Sequence, residues 1–188
     1  MLSTVAATVK AAVSGARVHV VGLSLGAHIA SALAARYPEI VATLFVSGFV
    51  LFRPYFFGLR IVPWFAKFTI GYAEAFVACW NGEETTSSRL IGNVVDIIVS
   101  DRDLERDRIK CRSLIFVATK FPPGDNVRDA KRLLGCVDCG TSLVVRRHVP
   151  HPWHVFDAKL FAETVLAWIE GRTLPDEDKE LEVIEVKS

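Results

Sequence analysis

The stretch "VHVVGLSLGAHIASALAARYPE", residues 18–39, runs from an apolar segment through Gly22-Leu23-Ser24-Leu25-Gly26 into a segment rich in small residues. Serine with a glycine two residues to either side arises often by chance. What gives it meaning is the context, an apolar strand directly before and a helix directly after. At such a turn the serine takes a sparsely populated backbone conformation that holds its Oγ clear of the main chain. Side chains at the two glycine positions would collide with the neighbouring strand and helix. Ser24 then sits at a helix N-terminus, where unpaired N–H groups and the helix dipole favour developing negative charge. The expectation is a nucleophile at Ser24, with the backbone N–H of Leu25 as an oxyanion donor; the plainer alternative is an ordinary strand-to-helix turn.

Outward from this turn the chain alternates. Val5, Val9, Ala12 and Val13 recur at helical spacing near the start, which predicts a helix over 3–13 ahead of the strand "RVHVVG". "AHIASALAARY" reads as a helix ending before Pro38, and "IVATLFVSG" as a buried strand closed by Gly48. "RSLIFVAT" (112–119) and "TSLVVRRHV" (141–149) read as strands, with the helix "NVRDAKRLLG", capped by Gly135, between them. A long final helix, "VFDAKLFAETVLAWIEG" (155–171), places Phe156, Leu160, Phe161, Val165, Trp168 and Ile169 on its apolar side and ends at Gly171. Strands alternating with helices predict an α/β fold, a mostly parallel sheet with helices on both faces. The region from about 50 to 110 breaks the rhythm. It is rich in Phe, Trp and Tyr, then polar at "NGEETTSSR", and reads as a helical cap insertion. Its aromatic residues, Phe49 to Phe68, serve either as an acyl pocket or as packing. The predicted organisation is one domain over 1–172 with this cap, followed by a solvated acidic tail over 173–188.

Composition narrows the function classes. The 188 residues suffice for one domain with a sizeable core, and 51% hydrophobic against 23% charged residues argues against global disorder. Lys plus Arg (22) nearly balance Asp plus Glu (21), so the basic surplus of a nucleic-acid binder is missing. Arg53, Pro54, Arg60, Pro63 and Lys67 divide the apolar stretch 41–80, leaving no uninterrupted run of about 18–20 apolar residues for a transmembrane segment. Lys10 interrupts the N-terminal apolar positions, so no signal peptide is expected. Four cysteines do not resemble a disulfide scaffold, and a reduced cytoplasmic setting follows. The sequence sets no oligomeric state.

A serine hydroxyl needs a base, and the base an orienting acid. His19 falls in a strand and His28 in a helix, where packing roles are expected. His148, His151 and His154 cluster in "RRHVPHPWHVFD" after the last strand before the final helix. His151, between Pro150 and Pro152, is the expected base, on an exposed loop with Trp153 packed beneath it; His154 is the second candidate. In "KFPPGDNVRDAKRLL" the expected acid is Asp125, which would otherwise cap the next helix; Asp129 is disfavoured because it should already lie on that helix. A zinc reading of Cys136, Cys139 and the histidines is weaker, because the His spacing is short and a strand separates the pairs. No metal and no cofactor are expected.

These segments, "VVGLSLGAHIASALAARYPE", "FPPGDNVRDAKRLL" and "VPHPWHVFDAKLFAETVLAWI", resemble the α/β-hydrolase superfamily in its esterase and lipase-like branch. The resemblance covers nearly all of the chain, least distinctly the cap. It implies Ser24 as nucleophile, Asp125 as acid, His151 as base and the Leu25 amide as oxyanion donor, acting on a small-molecule acyl substrate. It also implies several strands before the nucleophile strand and a loop supplying a second oxyanion N–H. Here only one helix precedes that strand, so the chain corresponds to the C-terminal two-thirds of the fold. Two activities follow as expectations: a serine hydrolase cleaving a carboxylic ester, or an inactive relative that binds a ligand or partner.

Overall fold

Residues 2–49, 104–119, 127–138, 140–151, 153–176 and 179–187 are described by a computed structural model, and all fall within one compact unit drawn from residues 1–51 and 102–188. Its centre is a five-stranded sheet of β1 (Val18–Leu23), β2 (Val41–Ser47), β3 (Arg112–Ala118), β4 (Thr141–Arg146) and β5 (Leu181–Lys187), arranged in chain order. The first four strands are parallel and β5 is antiparallel to β4. The helices are α1 (Leu2–Val13), α2 (Leu25–Arg36), α3 (Leu104–Asp107), α4 (Val127–Gly135), α5 (Trp153–Phe156) and α6 (Ala158–Glu170).

Strand alternation sends side chains to two separate cores. Leu44 and Val46 of β2, Ile115 and Val117 of β3, and Leu143 and Val145 of β4 face one side, packed with Ala6, Ala30, Leu33, Leu104, Ala130 and Leu133 from the helices. Phe45, Leu114, Phe116 and Val144 face the other, against Trp153 and Trp168, with Phe161 partly buried beside them. Because helices cover both faces, the central strands are apolar along nearly their whole length rather than alternating. Arg112 fastens α6 to the sheet: its guanidinium lies 4.2 Å from the Trp168 ring and donates to the Trp168 and Ile169 carbonyls at 2.7 and 3.1 Å. Carbonyls of a last helical turn lack i+4 partners, the Trp168 carbonyl here also accepting from the Gly171 cap N–H at 3.2 Å, and a cation there also opposes the dipole. Gly171, at φ 70°, ends the helix in the left-handed conformation that favours glycine.

Three expectations change. The final helix is two pieces, because the Asp157 carboxylate accepts from the Leu160 N–H at 3.0 Å and starts α6 afresh. Phe156 is thereby left on α5, 73% exposed, instead of on the buried side of α6. Gly135 is the last residue of α4 and is not among the glycines at positive φ, so the expected glycine cap does not form. The acidic segment expected to be a solvated tail supplies β5. Leu181 and Ile184 pack against opposite cores while Glu182 stays in solvent, with Val183 and Val186 at 57% and 66% exposure. Charge density made this segment look solvated; its β-branched residues and the open side of β4 make it an edge strand, which its glutamates protect from further pairing. The expected cap lies outside the described residues except for its end, where Leu104 and Ile109 are buried in the first core.

Among the described residues, no helix is long and apolar enough to cross a membrane. Phe116 stacks on Trp153 with ring centroids 4.2 Å apart and lies 6.2 Å from Phe45. Phe116→Ala is expected to lower stability by about 3–5 kcal/mol, read from urea unfolding. Val183→Ala on the exposed edge should change it by no more than about 0.5 kcal/mol.

Candidate active site

In a parallel sheet all strands end at the same edge, so the segments that follow β1, β2, β3 and β4 emerge side by side. Ligands in open α/β sheets bind along that edge. Ser24, Gly48 and His151 follow β1, β2 and β4 along it. In-register pairing of Leu23 with Ser47 brings the first two together, and the Ser24 N–H donates to the Ser47 carbonyl at 2.9 Å.

Ser24 has φ 52° and ψ −119°, a region costly for any residue other than glycine. Its side chain makes no capping bond to α2, although its carbonyl opens the helix by accepting from the Ala27 N–H at 2.9 Å. Serine at a helix start ordinarily spends its hydroxyl on the helix; here the backbone turns the hydroxyl away, and the residue is exposed. Crowding explains one of the two glycines. A Cβ on Gly22 would lie 2.7 Å from the Ala30 Cβ and would also strike the Gly26 carbonyl oxygen. A Cβ on Gly26 would meet none of the described residues within 4 Å, so the expected collision is confined to the strand side of the turn. Leu25 opens α2 with 40% of its surface exposed, and its N–H is one of the helix-start donors that lack a partner inside the helix.

Gly48, at φ 74°, follows β2 directly and is the point where the site closes. A Cβ placed there would lie 2.8 Å from His151 Nδ1, nearer still to Cε1, and 3.3 Å from the Ser24 nitrogen. The His151 ring and the Ser24 nitrogen thus both border the Cβ position of Gly48. Two residues on from His151, Trp153 is 0% exposed, held between Phe116 at 4.2 Å and Phe161 at 5.0 Å. Its Nε1–H donates to Ser47 Oγ at 3.2 Å.

The other candidates lie elsewhere. His154 is exposed on α5, its ring 6.0 Å from Phe161. His148 occupies an exposed turn at φ 62°, with Nε2 3.9 Å from Glu180. His28 is buried and stacks on Phe49 at 4.7 Å, so both serve packing. His19 is exposed on β1 with Nδ1 2.8 Å from Thr43 Oγ1, and is no packing residue. Asp129 is buried in the first turn of α4, on the helix as expected. Asp125 lies outside the described residues, as do Cys139 and the aromatic run beyond Phe49. Among the described residues no group of His, Cys, Asp or Glu could hold a metal ion, and Cys111 and Cys136 are in no disulfide. Sequence reasoning missed Ser47 and Gly48. The only local signal was a polar residue and a glycine closing an otherwise apolar strand, which reads simply as a strand end.

No family model matches the sequence. An AB hydrolase superfamily protein from Gibberella zeae is 38% identical over 181 residues, which cover 91% of this chain and 62% of the relative. NosK from Streptomyces actuosus is similar in structure, with a TM-score of 0.61 at 18% identity, over 90% of this chain and 75% of that one. A serine hydrolase involved in carbazole degradation, CarC, gives a TM-score of 0.60 at 15% identity, covering 91% and 70%. An α/β hydrolase enzyme from a Medee basin deep-sea metagenome library gives 0.57 at 17%, covering 93% and 72%. In sequence the chain is similar to an AB hydrolase superfamily protein, and its fold is that of α/β hydrolases. It spans less than two-thirds of the length of the Gibberella relative.

Gly48→Ala forces the His151 ring to move and adds strain at positive φ. A stability loss of about 1–3 kcal/mol in urea unfolding is expected, together with displaced His151 imidazole resonances.

Proposed function

We propose that the chain carries the nucleophile, acid and base of a serine hydrolase that cleaves a carboxylic ester or similar acyl bond. The observation that supports it most is that the His151 ring and the Ser24 nitrogen both lie against the Cβ position of Gly48. His151 takes the Ser24 proton as Oγ attacks the acyl carbon, and the oxyanion formed is met by the Leu25 N–H. Collapse of the tetrahedral species passes that proton to the departing alcohol and leaves an acyl-serine. His151 then deprotonates a water, which releases the carboxylic acid and restores Ser24. Asp125 would hold the imidazole tautomer. No metal or cofactor enters the cycle. CarC, whose fold the chain shares, is a serine hydrolase.

One observation favours the rival reading, a ligand-binding protein without turnover. Leu25 is 40% exposed beside β1, the outer strand of the described sheet, and supplies one oxyanion donor. Removing one oxyanion donor costs roughly 10²–10³ in turnover.

A fluorophosphonate probe separates the two. The wild-type protein should be labelled covalently and Ser24→Ala should not. Absence of labelling on folded wild-type protein would leave the binding role.

A further inference from the structure

Ser47 and Trp153 form a buried polar link that neither core packing nor the acyl-transfer steps account for. Ser47 is 1% exposed at the end of an otherwise apolar strand. It acts twice: its carbonyl accepts from the Ser24 N–H at 2.9 Å, and its Oγ accepts from Trp153 Nε1–H at 3.2 Å. The next residue is Gly48, against which the His151 ring rests. A single residue, proline in the sequence, separates His151 from Trp153, so little chain is available to absorb a movement of the indole.

The apolar neighbours of Trp153 set its depth and its plane. Phe116 stacks on it with an interplanar angle of 11°, and Phe161 meets it edge-on at 82°. Burial of this kind is non-directional, and a phenylalanine would satisfy it. The N–H···O bond is directional and selects one orientation of the indole in its plane. We infer that Ser47 and Trp153 are positioning residues that hold His151 in register with the Ser24 turn, using one buried hydrogen bond to tie the base loop to the nucleophile turn.

The catalytic consequence rests on the acyl-transfer reading above, whereas the structural consequence does not. The test uses the full chain with ¹⁵N-labelled histidine and three variants: Ser47→Ala, Trp153→Phe and Ser47→Thr. The first two remove the acceptor and the donor, and the third keeps a hydroxyl. Ser47→Ala and Trp153→Phe should each shift the His151 ring resonances and leave those of His19 unmoved. Each should slow fluorophosphonate labelling by about 10- to 100-fold, the scale of an ångström-sized misplacement. The double variant should be no slower than the slower single, and Ser47→Thr should restore both readouts. Unmoved His151 resonances in both single variants, with only a lower Tm, would overturn the inference. Should wild-type protein escape labelling, the acyl-transfer reading falls and the resonances alone decide this one.

Discussion

The site depends on the empty space over Gly48. Parallel pairing of β1 with β2 brings the Ser24 nitrogen to the Ser47 carbonyl, and the chain then turns at positive φ, where glycine alone is unstrained. The vacancy left by the missing side chain is occupied by the ring of His151, delivered from β4 two strands away. His151 could not hold its place if residue 48 carried a Cβ, and the Ser24 nitrogen would be crowded at 3.3 Å. The contact joins parts of the chain about a hundred residues apart through a volume smaller than a methyl group, which is why close packing transmits small changes there.

Around that point the two cores divide the work. The aliphatic and alanine-rich core carries α2, whose small residues let the helix lie close to the sheet, so the turn before it has to be tight. The aromatic core on the opposite face carries Trp153 and α6, and through them the loop that bears His151. The Ser24 turn and the His151 loop are therefore supported from opposite faces of one sheet and come together at Gly48. Strain at Ser24 is tolerated because both flanks of the turn are held, by pairing with β2 before it and by the start of α2 after it.

Much of this was legible in the residues. Continuous apolar runs marked β2, β3 and β4, and the glycine-serine frame marked the turn, because each depends on neighbours in sequence. Trp153 was expected beneath His151 because a large aromatic next to a loop histidine has few other places to go. Errors arose where a local pattern had two physical outcomes. Asp157 could continue a helix or restart one, and the Leu160 N–H decided in favour of restarting. The acidic run 175–187 was read by its charge, whereas the open side of β4 selected its β-branched residues for pairing.

The sequence by itself determined the elements, the α/β class, the superfamily resemblance and the order of Ser24, Asp125 and His151, since periodicity, turn chemistry and chain order are properties of the chain alone. Only the tertiary structure decided that the Trp153 N–H finds Ser47 and that the His151 ring lies with the Ser24 nitrogen at Gly48. Those outcomes depend on strand register and on which face each helix covers. Register is a collective property of packed strands, set by filling both cores at once, and no local pattern encodes it.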